Sequence, residues 1–223
     1  KLGDASDLAA ILTLGFRGEA LASIGAVSRL TVSSRPRGEE GREISVIDGI
    51  KGSVEPVGMA EGTGISVSGL FTNQPARLAF QRRPATETAK VVDVCVAHAL
   101  CNPSTSFKLT VDGRTILETA ATDEVGDRLF VLLGASSESL VALQSPPVDA
   151  SAPGEEEWTG YISPPSISRG RSDDIHVIIN GRPVAAQPFL QAIKRGYHTR
   201  LMVGRHPVAV IHLEIPASEV DVN

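Results

Sequence analysis

The sequence predicts an α+β protein in two parts, and three observations carry that reading. Its first half holds short apolar–polar alternations joined by Gly- and Pro-bearing turns. Those connections are too short for crossovers, so the strands they join are antiparallel. A helix-period run from Ala85 to about Leu100 then stops at Asn102-Pro103-Ser104, which places a domain boundary there and gives parts 1–102 and 103–223. Beyond it strands and helices interleave, as in an α+β or α/β domain. No internal repeat is evident.

Ser6 or Asp7 can cap a short helix with Leu8, Ile11 and Leu12 on one face, ending at Gly15. The run Glu19-Ala20-Leu21-Ala22 predicts a second helix. Ser28 to Ser34, with Leu30 and Val32 on one side, reads as a half-buried strand. Arg42 to Ile47 is a second strand, closed by the hairpin signal Asp48-Gly49. A third strand includes Val54, and a fourth runs from Ile65 to Leu70, entered through Glu61-Gly62-Thr63-Gly64. Asn73 to Arg77 is a loop built by Pro75. In the long helix, Val91, Cys95 and Ala99 form one stripe, with Val92 and Val96 beside it.

The second part restarts with Phe107, Leu109 and Val111 alternating into Asp112-Gly113. Asp123 can cap a helix carrying Val125, Leu129 and Leu132, ended by Gly134. Strands follow at Leu140 to Leu143 and Trp158 to Ile162, separated by an acidic, Pro- and Ser-rich stretch, Ser145 to Glu157, that reads as an exposed, mobile loop. Ile175 to Ile179 is a β-branched strand turning at Asn180-Gly181. Pro188 opens a helix toward Tyr197, and Pro207 to Ile215 is the last strand.

At 223 residues the chain is long enough for one large or two modest cores, built from Val, Leu, Ile and Ala because aromatics are only 4%. No apolar run approaches a membrane span. A formal charge of −5 excludes a generally basic nucleic-acid coat and leaves room for local patches. Cys95 and Cys101 have no second pair for zinc and read as buried thiols of a reducing compartment. No metal site and no catalytic histidine is assigned. The start at Lys1 and the stop at Asn223 within a motif-like run predict a piece of a longer chain.

The run Gly15-Phe16-Arg17-Gly18-Glu19-Ala20-Leu21 places two glycines at the start of a helix. A helix N-terminus offers unpaired N–H groups and the positive end of the dipole, which suits phosphate, and Gly permits close backbone approach. Glu19 would repel a phosphate if both faced the same way, so it is expected to turn aside. By spacing alone the run is also a plain helix corner. Gly62-Thr63 is by itself an ordinary turn. The cluster Arg77, Arg82 and Arg83 admits either a solvated face or a phosphate contact.

Gly15 to Ile24 (GFRGEALASI) resembles the hallmark of the MutL family of DNA mismatch repair proteins. Gly62-Thr63, Leu70 to Arg77 (LFTNQPAR), Ile179-Asn180-Gly181-Arg182 and Val220-Asp221-Val222-Asn223 are similar to further family motifs, in the family's order. Thr72 and Gln74 depart from its usual residues. The resemblance covers essentially the whole chain. It implies the C-terminal portion of a GHKL-type ATPase domain, an α/β sandwich, followed by a transducer domain with a ribosomal-protein-like fold. It also implies ATP, held by Gly15, Phe16, Arg17, Gly18, Glu19, Ala20, Leu21, Gly62 and Thr63, with Lys1 close to the nucleotide.

The family's catalytic Glu, its Mg²⁺-binding Asn, its adenine-reading box and the lysine beyond Val-Asp-Val-Asn have no match here. The resemblance therefore implies a slow ATPase in the longer protein and no hydrolysis by this stretch alone, with no catalytic residue assigned. Arg182 matches an arginine of a family loop associated with DNA, and Arg169, Arg171, Lys194, Arg195 and Arg200 could extend it into a basic groove. Partners implied are DNA, a mismatch-recognition protein of MutS type and a second copy or paralogue, with no membrane. The setting is cytoplasm or nucleoid in a prokaryote, the nucleus in a eukaryote. Two other readings remain: a GHKL ATPase of topoisomerase-subunit type, and a non-enzymatic DNA-binding or interaction module.

Overall fold

A computed structural model describes residues 18–146, 157–216 and 220. The chain divides into two compact units, residues 1–83 and 84–223. The sequence-predicted helix before Gly15 lies outside the described residues, as does most of the acidic stretch between Ser145 and Glu157.

The first unit opens with α1 (Ala20–Gly25), followed by β1 (Arg29–Arg35), β2 (Arg42–Ile47), β3 (Ile50–Pro56), β4 (Gly62–Ser68) and α2 (Pro75–Ala79). The sheet is antiparallel in the order β3-β2-β1-β4. Asp48 and Gly49 both take positive φ, 50° and 84°, as a two-residue hairpin turn demands. β4 starts at Gly62, three residues before the expected Ile65, and Pro75 opens a short helix where a loop was expected, because its fixed φ suits a first helical turn. By register, one face carries Leu30, Val32, Ile44, Val46, Val54, Ile65 and Val67; Leu30 is buried, while Val54, Ile65 and Val67 are exposed. α1 reaches that face at one corner. There a Cβ on Gly25 would meet Val46 Cγ1 at 3.0 Å, so glycine sets how closely helix and sheet approach.

The second unit begins with α3 (Pro84–Cys101), then β5 (Phe107–Val111), β6 (Arg114–Thr119), α4 (Val125–Leu133) and a 3₁₀ turn (Gly134–Ser139). It continues with β7 (Val141–Gln144), β8 (Glu157–Ile162), β9 (Ser168–Arg169), β10 (Ile175–Ile179) and β11 (Arg182–Val184). It closes with α5 (Leu190–Gly196), β12 (His206–Pro207) and β13 (Ala209–Glu214). The main sheet has the order β11-β10-β13-β8-β7, and only β10 and β13 run parallel. Side chains of Ile178 and Val210 on one face pack with Leu100 and Leu129 of α3 and α4. Ile175, Val177 and Ala209 pack on the other face, under Phe189, Leu190 and Ile193.

The compact units part at Arg83/Pro84, so α3, read from the sequence as closing the first part, packs in the second unit. Its buried residues are Ala99 and Leu100, with Val96 partly so; Val91, expected on the packed stripe, is exposed. α4 has Glu124 at its N-cap position, with no side-chain cap, in place of the expected Asp123. Thr122 Oγ1 accepts from Glu124 N at 3.1 Å instead.

Arg128 on α4 is 1% exposed. Its guanidinium donates to Thr119 Oγ1 and to the carbonyls of Pro103, Thr105 (2.7 Å) and Ala120 (2.9 Å), and lies over the Phe107 ring. One cation thereby satisfies the backbone of three loop positions around the β5–β6 hairpin, and burial lowers its pKa.

Candidate functional site

Of the phosphate-loop residues singled out in the sequence, Lys1, Gly15, Phe16 and Arg17 lie outside the described residues. Gly18 enters α1 with φ +64°, a conformation that costs a side chain with a Cβ, and a Cβ there would meet no heavy atom within 4 Å. Backbone conformation and open space together require and allow glycine. Glu19 occupies the N-cap position without capping, and it, Ala20 and Leu21 are exposed.

The far end of α1 is firmly anchored. Gly49 N donates to Gly25 O at 2.9 Å, Asn73 Nδ2 to Ala26 O at 3.0 Å, and Phe71 N to Val27 O at 2.7 Å. Phe71 takes φ +63°, an outlier for a bulky residue, and its ring lies beneath the Arg77 guanidinium at 5.6 Å. The loop Leu70 to Arg77 therefore braces the helix corner, and that is where Arg77 is engaged.

Gly62 and Thr63 pair with Arg35 and Ser34 at one end of β1, whereas α1 joins its other end, where Arg29 pairs with Ser68. Those strand ends lie about 20 Å apart along the chain direction. Thr63 Oγ1 shares a hydrogen bond of 2.9 Å with Ser34 Oγ at the exposed surface. The C-terminal end of α1 and Gly62-Thr63 thus lie at opposite ends of β1.

The basic residues of the second unit fall into two groups. Asn180 and Gly181, φ 48° and 72°, form the hairpin tip, and Arg182 is the first residue after it, half-buried and paired with Ile179 at the C-terminal end of β10. Asn180 makes two bonds to the backbone of Ile215, so the tip is pinned to the end of β13. At the opposite end of β10, about 13 Å away along the strand, Arg169 binds Asp174 and Arg171 binds Asp173, both at 2.8 Å. Lys194 is at this second end too. Its charge, after burial, helps lower the pKa of His206, which pairs with Arg169. Arg195 follows Lys194 in the last turn of α5, and Arg200 is exposed just beyond it.

Arg205, not singled out by motif, belongs to the second group: it donates to Ser168 Oγ at 3.1 Å and to the Ser168 carbonyl. A charge count would have found it. From Ile175 to Leu213 the sequence holds no Asp or Glu, but has Arg182, Lys194, Arg195, Arg200 and Arg205 in a chain of net charge −5.

Among the described residues no group of three or more His, Cys, Asp or Glu side chains could hold a metal, and no helix is long and apolar enough to cross a membrane. Both cysteines are free, and burial raises the Cys101 thiol to about 11. His176 and His212 are held toward their neutral forms, chiefly by burial.

Residues 139–223 match the family model described as DNA mismatch repair protein, C-terminal domain. The whole chain aligns with proteins named DNA mismatch repair protein MutL. It is 40% identical over 224 residues to that of Geobacter sulfurreducens and 37% identical over 225 residues to that of Halobacterium salinarum. It covers 36% and 34% of their lengths, so it spans about a third of these curated relatives. Among solved structures, the N-terminal domain of a DNA repair protein superposes with a TM-score of 0.79 at 26% identity, covering 96% of this chain and 68% of that one. The Aquifex aeolicus MutL ATPase domain complexed with ADP gives 0.70 at 24% identity, covering 99% and 82%.

Proposed function

As the chain belongs to the MutL family of DNA mismatch repair proteins, we propose that it is the central part of an ATP-dependent repair coordinator. Its first unit contributes to a GHKL ATPase domain, and its second unit is the transducer that meets DNA. The observation that carries this reading is the left-handed Gly18 at the start of α1, whose N-cap residue Glu19 makes no cap bond, set within a sequence likeness that runs the length of the chain. Gly18 permits close backbone approach of an anionic group, and the N-terminal turn of α1 offers such a group the positive end of its dipole. Nucleotide, when bound with Mg²⁺, supplies the negative charge that this turn holds and the energy of a binding-linked ordering step. The chain's own part is to bind and orient; a water-activating base within hydrogen-bond reach is supplied from elsewhere in the protein.

DNA binding is assigned to the second unit, with Arg182 at one end of β10 and, at the other, Lys194 and Arg195 of the same acid-free stretch beside Arg169 and Arg171, which lie outside it and are ion-paired with Asp174 and Asp173. Contacts of this kind neutralise phosphate and act without regard to sequence, as a coordinator working at any mismatch needs. A mismatch-recognition protein of MutS type and a second copy or paralogue complete the proposed assembly. The test is phosphate release by the full-length protein and by residues 1–223 under the same conditions. Slow turnover is expected from the first and none from the second. Robust turnover by residues 1–223 would overturn the assignment of the base to another part of the protein.

A further inference from the structure

The segment between α5 and β12 displays two apolar side chains at an exposed tip. Met202 is 78% exposed and Val203 fully so, the most exposed large apolar side chains among the described residues of the second unit. The tip is built rather than loose. Arg205 N donates to Met202 O at 3.0 Å across a tight turn with Gly204 at φ +77°, the position where a type II turn needs a positive angle. Its base is held by Arg205 on Ser168 and by the β9–β12 pairing. On the other side, Arg200 N bonds to Tyr197 O, and Tyr197 is buried with its hydroxyl on Ser163 O.

Arg200 and Arg205 flank this apolar pair two residues to either side in the chain, Lys194 and Arg195 end the helix that leads into it, and among the described residues none of the four forms an ion pair with a carboxylate. A partner must therefore be anionic around its rim and offer apolar or stackable surface at its centre. Two side chains are far too small an anchor for a stable protein interface, which needs roughly 1,200 Å² or more. Three of the four cations are arginines, which match phosphate in bidentate fashion.

We propose that the Met202–Val203 turn is a DNA-docking tip. Flanking cations hold phosphates of a duplex while Met202 and Val203 enter the groove between them against sugar and base edges, the use to which apolar wedges are put in groove-binding proteins. This rests on the DNA-binding reading above and adds an apolar anchor that no arginine supplies.

The full-length protein and its Met202→Ser/Val203→Ser and Arg195→Glu/Arg200→Glu variants are titrated with duplexes of unrelated sequence over a salt series. In parallel, each is titrated with vesicles containing anionic phosphatidylglycerol. The apolar double variant should bind about threefold to tenfold more weakly with its log-affinity against log-salt slope unchanged, since every phosphate remains neutralised. The charge-reversal variant should bind more weakly and also flatten the slope by about 0.9 for each phosphate it no longer neutralises. Wild-type binding that is indifferent to Met202→Ser/Val203→Ser would overturn the tip and leave the DNA reading standing. Absence of wild-type duplex binding at low salt would overturn both. Vesicle binding that depends on Met202 and Val203, without duplex binding, would identify the tip as a lipid-surface anchor and overturn the proposal. Unchanged circular dichroism shows that the exposed substitutions leave the fold intact.

Discussion

At the scale of single residues, Gly18 and Arg128 do opposite work. Gly18 matters for what it lacks. At φ +64°, a β-branched side chain is strained by about 1–2 kcal/mol, yet nothing nearby clashes with it, so the cost is local. Gly18→Val in the full-length protein should therefore weaken ATP binding by filling the approach to α1 while leaving the fold intact, with a melting temperature lowered only by the few degrees that about 1–2 kcal/mol of strain implies. Calorimetric titration with a non-hydrolysed ATP analogue reads this, and unchanged affinity would make Gly18 a plain helix corner. Arg128 matters for what it holds. Arg128→Ala strands three part-buried carbonyls and the buried Thr119 hydroxyl, which should cost on the order of 3 kcal/mol. Urea unfolding of the second unit measures it, and a loss under about 1 kcal/mol would mean the loops satisfy themselves without the guanidinium.

At the scale of elements, β10, β12 and β13 each carry a histidine whose neutral form is favoured by burial: His176, His206 and His212. Lys194 adds to the effect at His206, while Asp174 and Asp93 oppose it at His176. All three folded-state pKa values lie below the ordinary 6.5. As pH falls through 6.5 the unfolded chain takes up protons first, so stability is complete above that pH and declines below it until the folded-state values are passed. Thermal melts between about pH 7 and pH 5 should show this decline. His212→Phe, which removes a buried ring nitrogen lacking a partner, should make it shallower. A slope that His212→Phe leaves unaltered would assign the pH dependence to other groups.

At the scale of the whole molecule, a chain of net charge −5 places its acid-free stretch on one unit and divides the cations of that stretch between the two ends of β10. If Arg182 meets phosphate, Arg182→Glu should weaken binding to all duplexes about equally and reduce the salt slope by about 0.9. Electrophoretic or fluorescence titration over a salt series reads both quantities. Weakened binding to one sequence alone, or a slope that does not move, would remove Arg182 from the phosphate-contacting set.

The sequence by itself determined what is local. Asp48-Gly49, Asp112-Gly113 and Asn180-Gly181 each turn with positive φ at both residues, because two-residue hairpins need angles those residue types adopt most easily. Alternation located β1 and β5, a hairpin signal β2 and β-branched residues β10, each nearly to the residue, and the ordered motifs carried the family. Tertiary structure alone decided what depends on distant partners. Nothing near Ile175 says that its strand runs parallel to Ala209–Glu214, because parallel pairing is selected by the crossover and by packing on both faces. Arg128 reads in sequence as a solvated helix arginine, and becomes a buried hub only when loops far from it bring their carbonyls. The basic residues that the family resemblance draws toward one groove lie at the two ends of β10, because strand pairing, not distance in the chain, sets which end each segment reaches.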